Sequence, residues 1–353
     1  MAAAAKQNRK SVNRRSVYVA YTGGTVGMRR GVCGYEPARG HLAEQMASLP
    51  VFERPEMPGY EIHEYAPLLD SANMTPRDWM KIADDMMERY DDYDGFIVLH
   101  GTDTMAYSAS ALSFLFEDLG KTVLFTGSQI PLEEVRSDAY DNLITSLLIA
   151  AESPVPEVCL FVGNRLLRGN RSTKVSAERF EAFESPNYRP LGRAGVYVEY
   201  DRKAALARPT APVRLHRIDA REPQVADVVL FPGITAATLG RLLEPPLEGA
   251  VLHTYGAGNA PDDPAFLAVL RGATERGVVL VNCTQCLEGS VRMREYATGN
   301  ALREAGVVSG FDMTPEAALT KLYCLLARGL GVDEVRRLVQ RDLRGELTRP
   351  QNP

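Results

Sequence analysis

The sequence predicts an α/β fold of two doubly wound domains, a larger N-terminal one with a mostly parallel sheet and a smaller C-terminal one with a parallel sheet. Three observations predict it. Short apolar runs recur along the chain, each followed at once by a polar, glycine-containing loop: "VYVAYTGGT", "GFIVLHGTDT", "KTVLFTGSQ", "EVCLFVGN", "ADVVLFPG", "GAVLHTYGAGN" and "GVVLVNCTQ". Their hydrophobicity is continuous rather than alternating, which marks strands buried on both faces of a parallel sheet. Helical patterns lie between them, and strand alternating with helix gives an α/β chain.

The elements follow in order. Residues 1–15, "MAAAAKQNRKSVNRR", are Ala-rich and then basic, with no apolar run of secretory length behind the charges, and read as a disordered tail. The first buried strand begins at Ser16 and breaks at the adjacent Gly23 and Gly24. The segment "VGMRRGVCGYEPARG" that follows is rich enough in glycine to move as a lid. "TPRDWMKIADDMMERY" reads as a helix with Thr75 as N-cap and Pro76 at the first helical position. "MAYSASALSFLFEDLG", ending at Gly120, and "AYDNLITSLLIAAE" read as two more. Across 201–224 the periodicity lapses while prolines and arginines accumulate, which separates a catalytic domain at 16–200 from a C-terminal domain at 225–353.

At 353 residues the chain exceeds one comfortable core. Hydrophobic residues at 45% and charged residues at 24% are ordinary for a globular protein, and the net charge of −5 argues against nucleic acid as the main partner. No apolar span is long enough for a transmembrane helix, so no membrane association is expected. Five cysteines without an export signal suggest reduced thiols in a cytoplasm. Cys283 and Cys286 form a C-x-x-C, but neither a second pair nor a nearby histidine completes a zinc site. No structural metal is expected.

In open α/β sheets ligands bind beyond the carboxyl ends of the strands. Two strand-end loops stand out there, Thr22-Gly23-Gly24-Thr25 and Gly101-Thr102-Asp103-Thr104. The first lacks the spacing of a dinucleotide or phosphate loop and presents a hydroxyl, Thr25, where such loops present bare backbone. In the second, Asp103 is read either as a helix N-cap or as a functional carboxylate.

Together these turns carry a resemblance. With "PLLDSANMTPRDW", "FTGSQIPL", "RSDAYDN", "NRLLRGNRSTK", "YGAGNAP" and "YATGNAL", they make residues 16 to 348 similar to the bacterial cytoplasmic (type I) L-asparaginases. The resemblance implies hydrolysis of L-asparagine to L-aspartate and ammonia through a threonine nucleophile and an acyl-enzyme, without metal or organic cofactor. Thr25 matches the nucleophile, while Thr102, Asp103 and Lys174 match the second threonine and its Asp-Lys partners. Tyr35 matches a lid tyrosine.

Asp70 and Ser71 match the substrate-binding turn, Ala72 and Asn73 depart from its pattern with Ala72 contributing backbone, and Thr102 and Asp103 complete capture of the substrate's charged groups. A threonine hydroxyl needs activation, and a lysine serves as base only if its ordinary pKa of about 10.4 is lowered. Both readings of Lys174, base or electrostatic organiser, stay open. Alternatives are an amino-acid sensor on the same fold and a glutaminase-asparaginase, since one methylene is worth only about 1–3 kcal/mol of discrimination.

The resemblance further implies a homodimer or homotetramer and an activating asparagine site at Thr173, His253, Asn259, Thr284, Gln285 and Cys286. His253 stands where an arginine is frequent, which replaces a permanently charged two-pronged carboxylate grip by an imidazole. Weaker effector binding is the expected consequence.

Overall fold

The computed structural model describes residues 14–348 except 33, 219 and 296. Of the expected tail, residues 1–13 lie outside the described residues. The side chains of Arg14 and Arg15 donate to the carbonyls of Met57 and Ala151 at 2.6 and 3.0 Å. The chain divides into two units, one holding the residues up to Ser185 with Arg189–Leu215, the other holding Pro186–Tyr188 and the residues from His216.

The first unit opens with β1 (Ser16–Gly23), followed by the hairpin strands β2 (Met28–Gly31) and β3 (Gly34–Pro37) and helix α1 (His41–Ser48). Next come β4 (Gly59–Leu69), α2 (Pro76–Glu88), β5 (Gly95–Leu99), α3 (Met105–Leu115), β6 (Phe116–Glu117), β7 (Val123–Thr126) and α4 (Ala139–Glu152). The unit ends with β8 (Val158–Val162), β9 (Arg165–Arg168), β10 (Thr173–Lys174), β11 (Phe183–Glu184), β12 (Gly192–Ala194), β13 (Val198–Tyr200) and β14 (Arg214–Leu215).

Its main sheet has the order β13-β12-β9-β8-β7-β5-β1-β4. Pairing is parallel from β4 through β1, β5 and β7 to β8, and antiparallel from β8 outward through β9, β12 and β13. Strands β5, β7 and β8 are buried along their whole length, as continuous apolar runs between helical layers must be.

Helix α2 starts where expected. Thr75 caps it, Pro76 stands at its first position, and Asp78 accepts from the Thr75 amide at 2.8 Å and the Thr75 hydroxyl at 2.6 Å. Helix α3 stops earlier than the sequence suggests. Instead of running to Gly120 it ends at Leu115, because Phe116 and Glu117 turn into β6 and pair antiparallel with β14. Asp118 then takes a positive φ of 57°. Strand β4 has no continuous apolar run to announce it; its Tyr60-Glu61-Ile62-His63-Glu64 stretch belongs to a sheet edge.

The second unit holds β15 (Val225–Val229), α5 (Ala236–Leu242), β16 (Gly249–Thr254), α6 (Pro264–Glu275), β17 (Val279–Thr284), α7 (Ala297–Glu304), β18 (Val308–Ser309), α8 (Pro315–Ala327) and α9 (Val332–Val339). Its four strands run parallel in chain order. One core layer, with Leu239, Phe266, Leu270 and Leu302, is separate from a second that gathers Val251, Val281, Leu322 and Val339. A sheet covered on both faces is the doubly wound arrangement.

Candidate active site

The carboxyl ends of β1, β4 and β5 meet through glycines. Between Tyr21 and Gly23 the β1–β4 register shifts, which sets Leu69, the neighbour of Asp70, opposite Gly23. Gly24 has φ +95°, and a β-carbon there would lie 2.6 Å from the Gly101 amide nitrogen. A β-carbon on Gly101 would in turn lie 2.5 Å from Ser71 Oγ. The first loop therefore touches the other two backbone to backbone, Gly23 against Leu69 and Gly24 against Gly101, while Gly101 packs on the Ser71 side chain, approaches that only glycine permits.

Each loop offers polar groups to that meeting point. Thr25, half-buried, begins a 3-10 turn over Thr25–Gly27, and its hydroxyl makes no side-chain hydrogen bond among the described residues. Thr22, three residues before Thr25, is committed to the Leu99 carbonyl at 2.9 Å. Asp70 caps a short turn over Ser71–Asn73 by accepting from the Ala72 amide at 3.0 Å. That turn is fastened to the β5 loop, since the Thr104 hydroxyl donates to the Ser71 carbonyl at 2.7 Å. Ser71 is buried, whereas Asp70 and Ala72 are exposed.

Lys174 joins this cluster from strand β10. Its Nζ donates to Thr102 Oγ1 at 2.8 Å and to Asp103 Oδ1 at 2.6 Å. The N-cap of α3 is Thr104 and not Asp103, so the capping reading of Asp103 gives way to an ion pair. The ammonium is mostly enclosed and the carboxylate mostly open, with side-chain exposures of 19% and 68%. Asp103 thus keeps an oxygen for a second cation. Thr102, buried, donates its own proton to Gln129 Oε1 at 3.2 Å.

Beneath Thr102 lies a buried polar chain. Trp79 Nε1 donates to Ser108 Oγ at 3.0 Å, and Ser108 Oγ meets His100 Nε2 at 2.9 Å. His100 Nδ1 reaches the Gly101 carbonyl at 2.7 Å. A carbonyl only accepts, so Nδ1 carries the proton and Nε2 takes the one from Ser108. Burial pushes the imidazole down to about 4, so the ring is neutral at physiological pH.

Tyr35 stands on the β2–β3 hairpin. Its hydroxyl donates to Glu134 Oε1 at 2.9 Å, while Glu133 holds the Arg30 amide at 3.2 Å and His41 Nε2 at 3.1 Å. Sequence reasoning assigned nothing to Gln129, Glu133, Glu134 or the His100 chain. Gln129 and His100 both stand just past the end of a buried strand, the position that singled out Thr25 and Thr102.

Of the six residues expected at an effector site, Thr173 belongs to the first unit and the rest to the second. In the second unit they line the carboxyl ends of β16 and β17. Thr284 Oγ1 donates to the Gly256 carbonyl at 2.6 Å and accepts from the Cys286 amide at 3.0 Å. Gln285 Nε2 donates to the carbonyls of Leu230 and His253 at 2.6 and 2.8 Å. Asn259 Oδ1 accepts from Thr298 at 2.6 Å. His253 Nε2 lies 2.6 Å from Asp227 Oδ1, a partner that spacing along the chain does not suggest.

Cys283 is buried, with burial pushing its thiol up to about 12, and Cys286 is exposed. Among the described residues no group of three or more His, Cys, Asp or Glu is placed to hold a metal ion, and no helix is long and apolar enough to cross a membrane.

Comparison with known proteins assigns both units. The profile of the family described as "Asparaginase, N-terminal" matches residues 16–206, and that of "Glutaminase/Asparaginase C-terminal domain" matches residues 224–339. L-asparaginase 1 of Escherichia coli (strain K12) is 52% identical over 343 residues, 96% of this chain and 99% of that protein. The 60 kDa lysophospholipase of Homo sapiens is 44% identical over 358 residues, which cover 95% of this chain and 62% of that protein. The crystal structure of L-asparaginase I from Vibrio cholerae O1 biovar eltor superposes with a TM-score of 0.88 at 50% identity, covering 95% of this chain and all of that one.

Proposed function

The chain belongs to the bacterial type I L-asparaginase family, and on that footing we propose that it hydrolyses L-asparagine to L-aspartate and ammonia with Thr25 as nucleophile. Thr25 Oγ1 attacks the side-chain amide carbon of asparagine. The C–N bond breaks, the nitrogen leaves as ammonia after taking up a proton, and an aspartyl ester remains on Thr25. Water then cleaves the ester and returns the hydroxyl. Backbone N–H groups at the strand-end turns stabilise the oxyanion, each well-placed donor contributing about 3 kcal/mol.

The observation that carries this reading is the Lys174 ammonium held between Thr102 Oγ1 and Asp103 Oδ1 at 2.8 and 2.6 Å, beside the turn that bears Thr25. That cation and hydroxyl belong to the loop whose Gly101 packs on Gly24, the neighbour of Thr25, which supports Thr25 as the nucleophile. The open oxygen of Asp103 binds the substrate ammonium, and the Asp70-Ser71-Ala72 turn binds the α-carboxylate through Ser71 and backbone amides. Tyr35 closes over the site when its hairpin leaves Glu134. Chelators leave the rate unchanged, because no step is routed through a metal.

A second asparagine acts as effector at Thr173, His253, Asn259, Thr284, Gln285 and Cys286, and the enzyme works in the cytoplasm as a homodimer or homotetramer. The deciding measurement is ammonia release from L-asparagine and L-glutamine side by side, in the parent and in Thr25→Ala. The parent is expected to favour asparagine. The variant is expected to bind it with little turnover, and turnover within tenfold of the parent would overturn the assignment of Thr25.

A further inference from the structure

Resting on the reading of Thr102 and Lys174 as catalytic, we infer that Gln129 is a positioning residue that fixes the direction of the Thr102 hydroxyl proton, and so makes Lys174 a donor in the resting site.

The orientation of the Gln129 amide is set by its other neighbour. Nε2 donates to the Arg179 carbonyl at 3.2 Å, and a carbonyl can only accept, so the amide oxygen must face Thr102. Oε1 in turn can only accept. The single proton of Thr102 therefore lies on the 3.2 Å line to Gln129. Lys174 Nζ, 2.8 Å from the same oxygen, must donate into a Thr102 lone pair while it donates to Asp103. This order of donors suits an ammonium and leaves Thr102 Oγ1 with one lone pair for an attacking hydroxyl or water. For Lys174 to receive a proton from Thr102, that hydroxyl would first have to let go of Gln129.

Gln129 is held as a fixture would be. Its backbone amide donates to both carboxylate oxygens of Asp138 at 3.1 Å, and the Ile130 amide donates to Asp138 Oδ1 at 3.1 Å. Asn142 Nδ2 supports the same carboxylate at 3.3 Å and the Gly127 carbonyl at 2.9 Å. Side chain and main chain of Gln129 are thus each pinned at both ends. Such a chain of partners costs little to hold in place at the moment of reaction.

The test is a double-mutant cycle on ammonia release from L-asparagine, with thermal unfolding of each variant measured alongside. Gln129→Met keeps the length and removes the acceptor, Gln129→Glu keeps an acceptor of the same reach, and each is made alone and on Thr102→Val. Losing one such hydrogen bond is expected to lower kcat about tenfold in Gln129→Met, with KM changed less than about threefold. Gln129→Glu keeps the acceptor for Thr102 but sets a second acceptor against the Arg179 carbonyl, and is expected to fall between the parent and Gln129→Met. On Thr102→Val, where there is no hydroxyl to orient, Gln129→Met is expected to cost less than about twofold. Should Gln129→Met not fold, Gln129→Ala completes the same cycle.

A kcat within twofold of the parent in Gln129→Met, or an equal loss on Thr102→Val, would each overturn the inference. If Thr102→Val itself turns over like the parent, the reading of Thr102 fails and the inference with it. If Thr102→Val is impaired and Gln129→Met is not, only the positioning role fails.

Discussion

Gly24 and Gly101 approach so closely that a β-carbon on Gly24 would sit 2.6 Å from the Gly101 amide nitrogen and 2.8 Å from its Cα. The contact joins the turn that bears Thr25 to the one that bears Thr102. Because the obstacle is backbone, it cannot swing aside as a side chain would. Gly24→Ala is therefore expected to push the two turns apart and to lower kcat at least about a hundredfold, the usual effect of a displacement near 1 Å at reacting groups. Gly329, with φ +71° and nothing within 4 Å of its β-carbon position, is the control. Gly329→Ala strains only its own backbone, by about 1–3 kcal/mol. Ammonia release and thermal unfolding of both variants separate lost geometry from lost stability; equal kcat values in the two would refute the account.

Lys174, Thr102 and Asp103 form one hydrogen-bonded unit, so their removal is expected to be non-additive. Thr102→Val, Asp103→Asn and Lys174→Met should each cost activity. The triple variant should be little slower than the slowest single one. Rates that multiply across the three would mean that they act separately. Asp103→Asn should in addition raise the asparagine KM, because its open oxygen is assigned to the substrate ammonium.

His100 gives the fold a pH dependence with a defined sign. Burial lowers its pKa from 6.5 to about 4, outweighing the Gly101 carbonyl and Asp78, which favour the charged ring. Above 6.5 the ring is neutral folded or unfolded, and its neutral hydrogen bonds are fully retained. As the pH falls from 6.5 toward 4, only the unfolded chain takes up the proton. Stability is then lost at up to about 1.4 kcal/mol per pH unit from this group. Urea unfolding of the parent and His100→Gln at pH 7 and pH 4.5 measures it. The parent is expected to lose more stability between the two pH values, and equal losses would exclude His100 as the source.

Asp227 bears on the proposed effector site. Its carboxylate already holds His253 Nε2 at 2.6 Å, and it would repel an effector carboxylate arriving at the same nitrogen. Asp227→Asn removes that charge and is expected to steepen the dependence of initial rate on asparagine concentration. His253→Arg, which adds a permanent two-pronged donor beside Asp227, should act in the same direction. Identical rate curves for the parent and both variants would argue against an effector at His253.

Local sequence determined the parallel core, because a strand buried on both faces needs an unbroken apolar run and β5, β7, β8, β16 and β17 each carry one. It also determined that hydroxyls stand at the strand ends, since glycine and threonine directly follow the runs of β1 and β5. Edge elements were less legible. β4 has one sheet neighbour and tolerates charge, and the end of α3 is set by the pairing of Phe116–Glu117 with Arg214–Leu215, far along the chain.

Tertiary structure decided the partners. That Asp103 meets Lys174, 71 positions away, and that Thr102 turns its proton to Gln129, 27 positions away, depends on β1, β5 and β7 lying side by side in register. Asp227 and His253 meet because β15 and β16 are neighbours in the second sheet. The periodicity of a sequence reports which face of each element is buried. Which side chains share a strand end is fixed only when the sheet orders its strands.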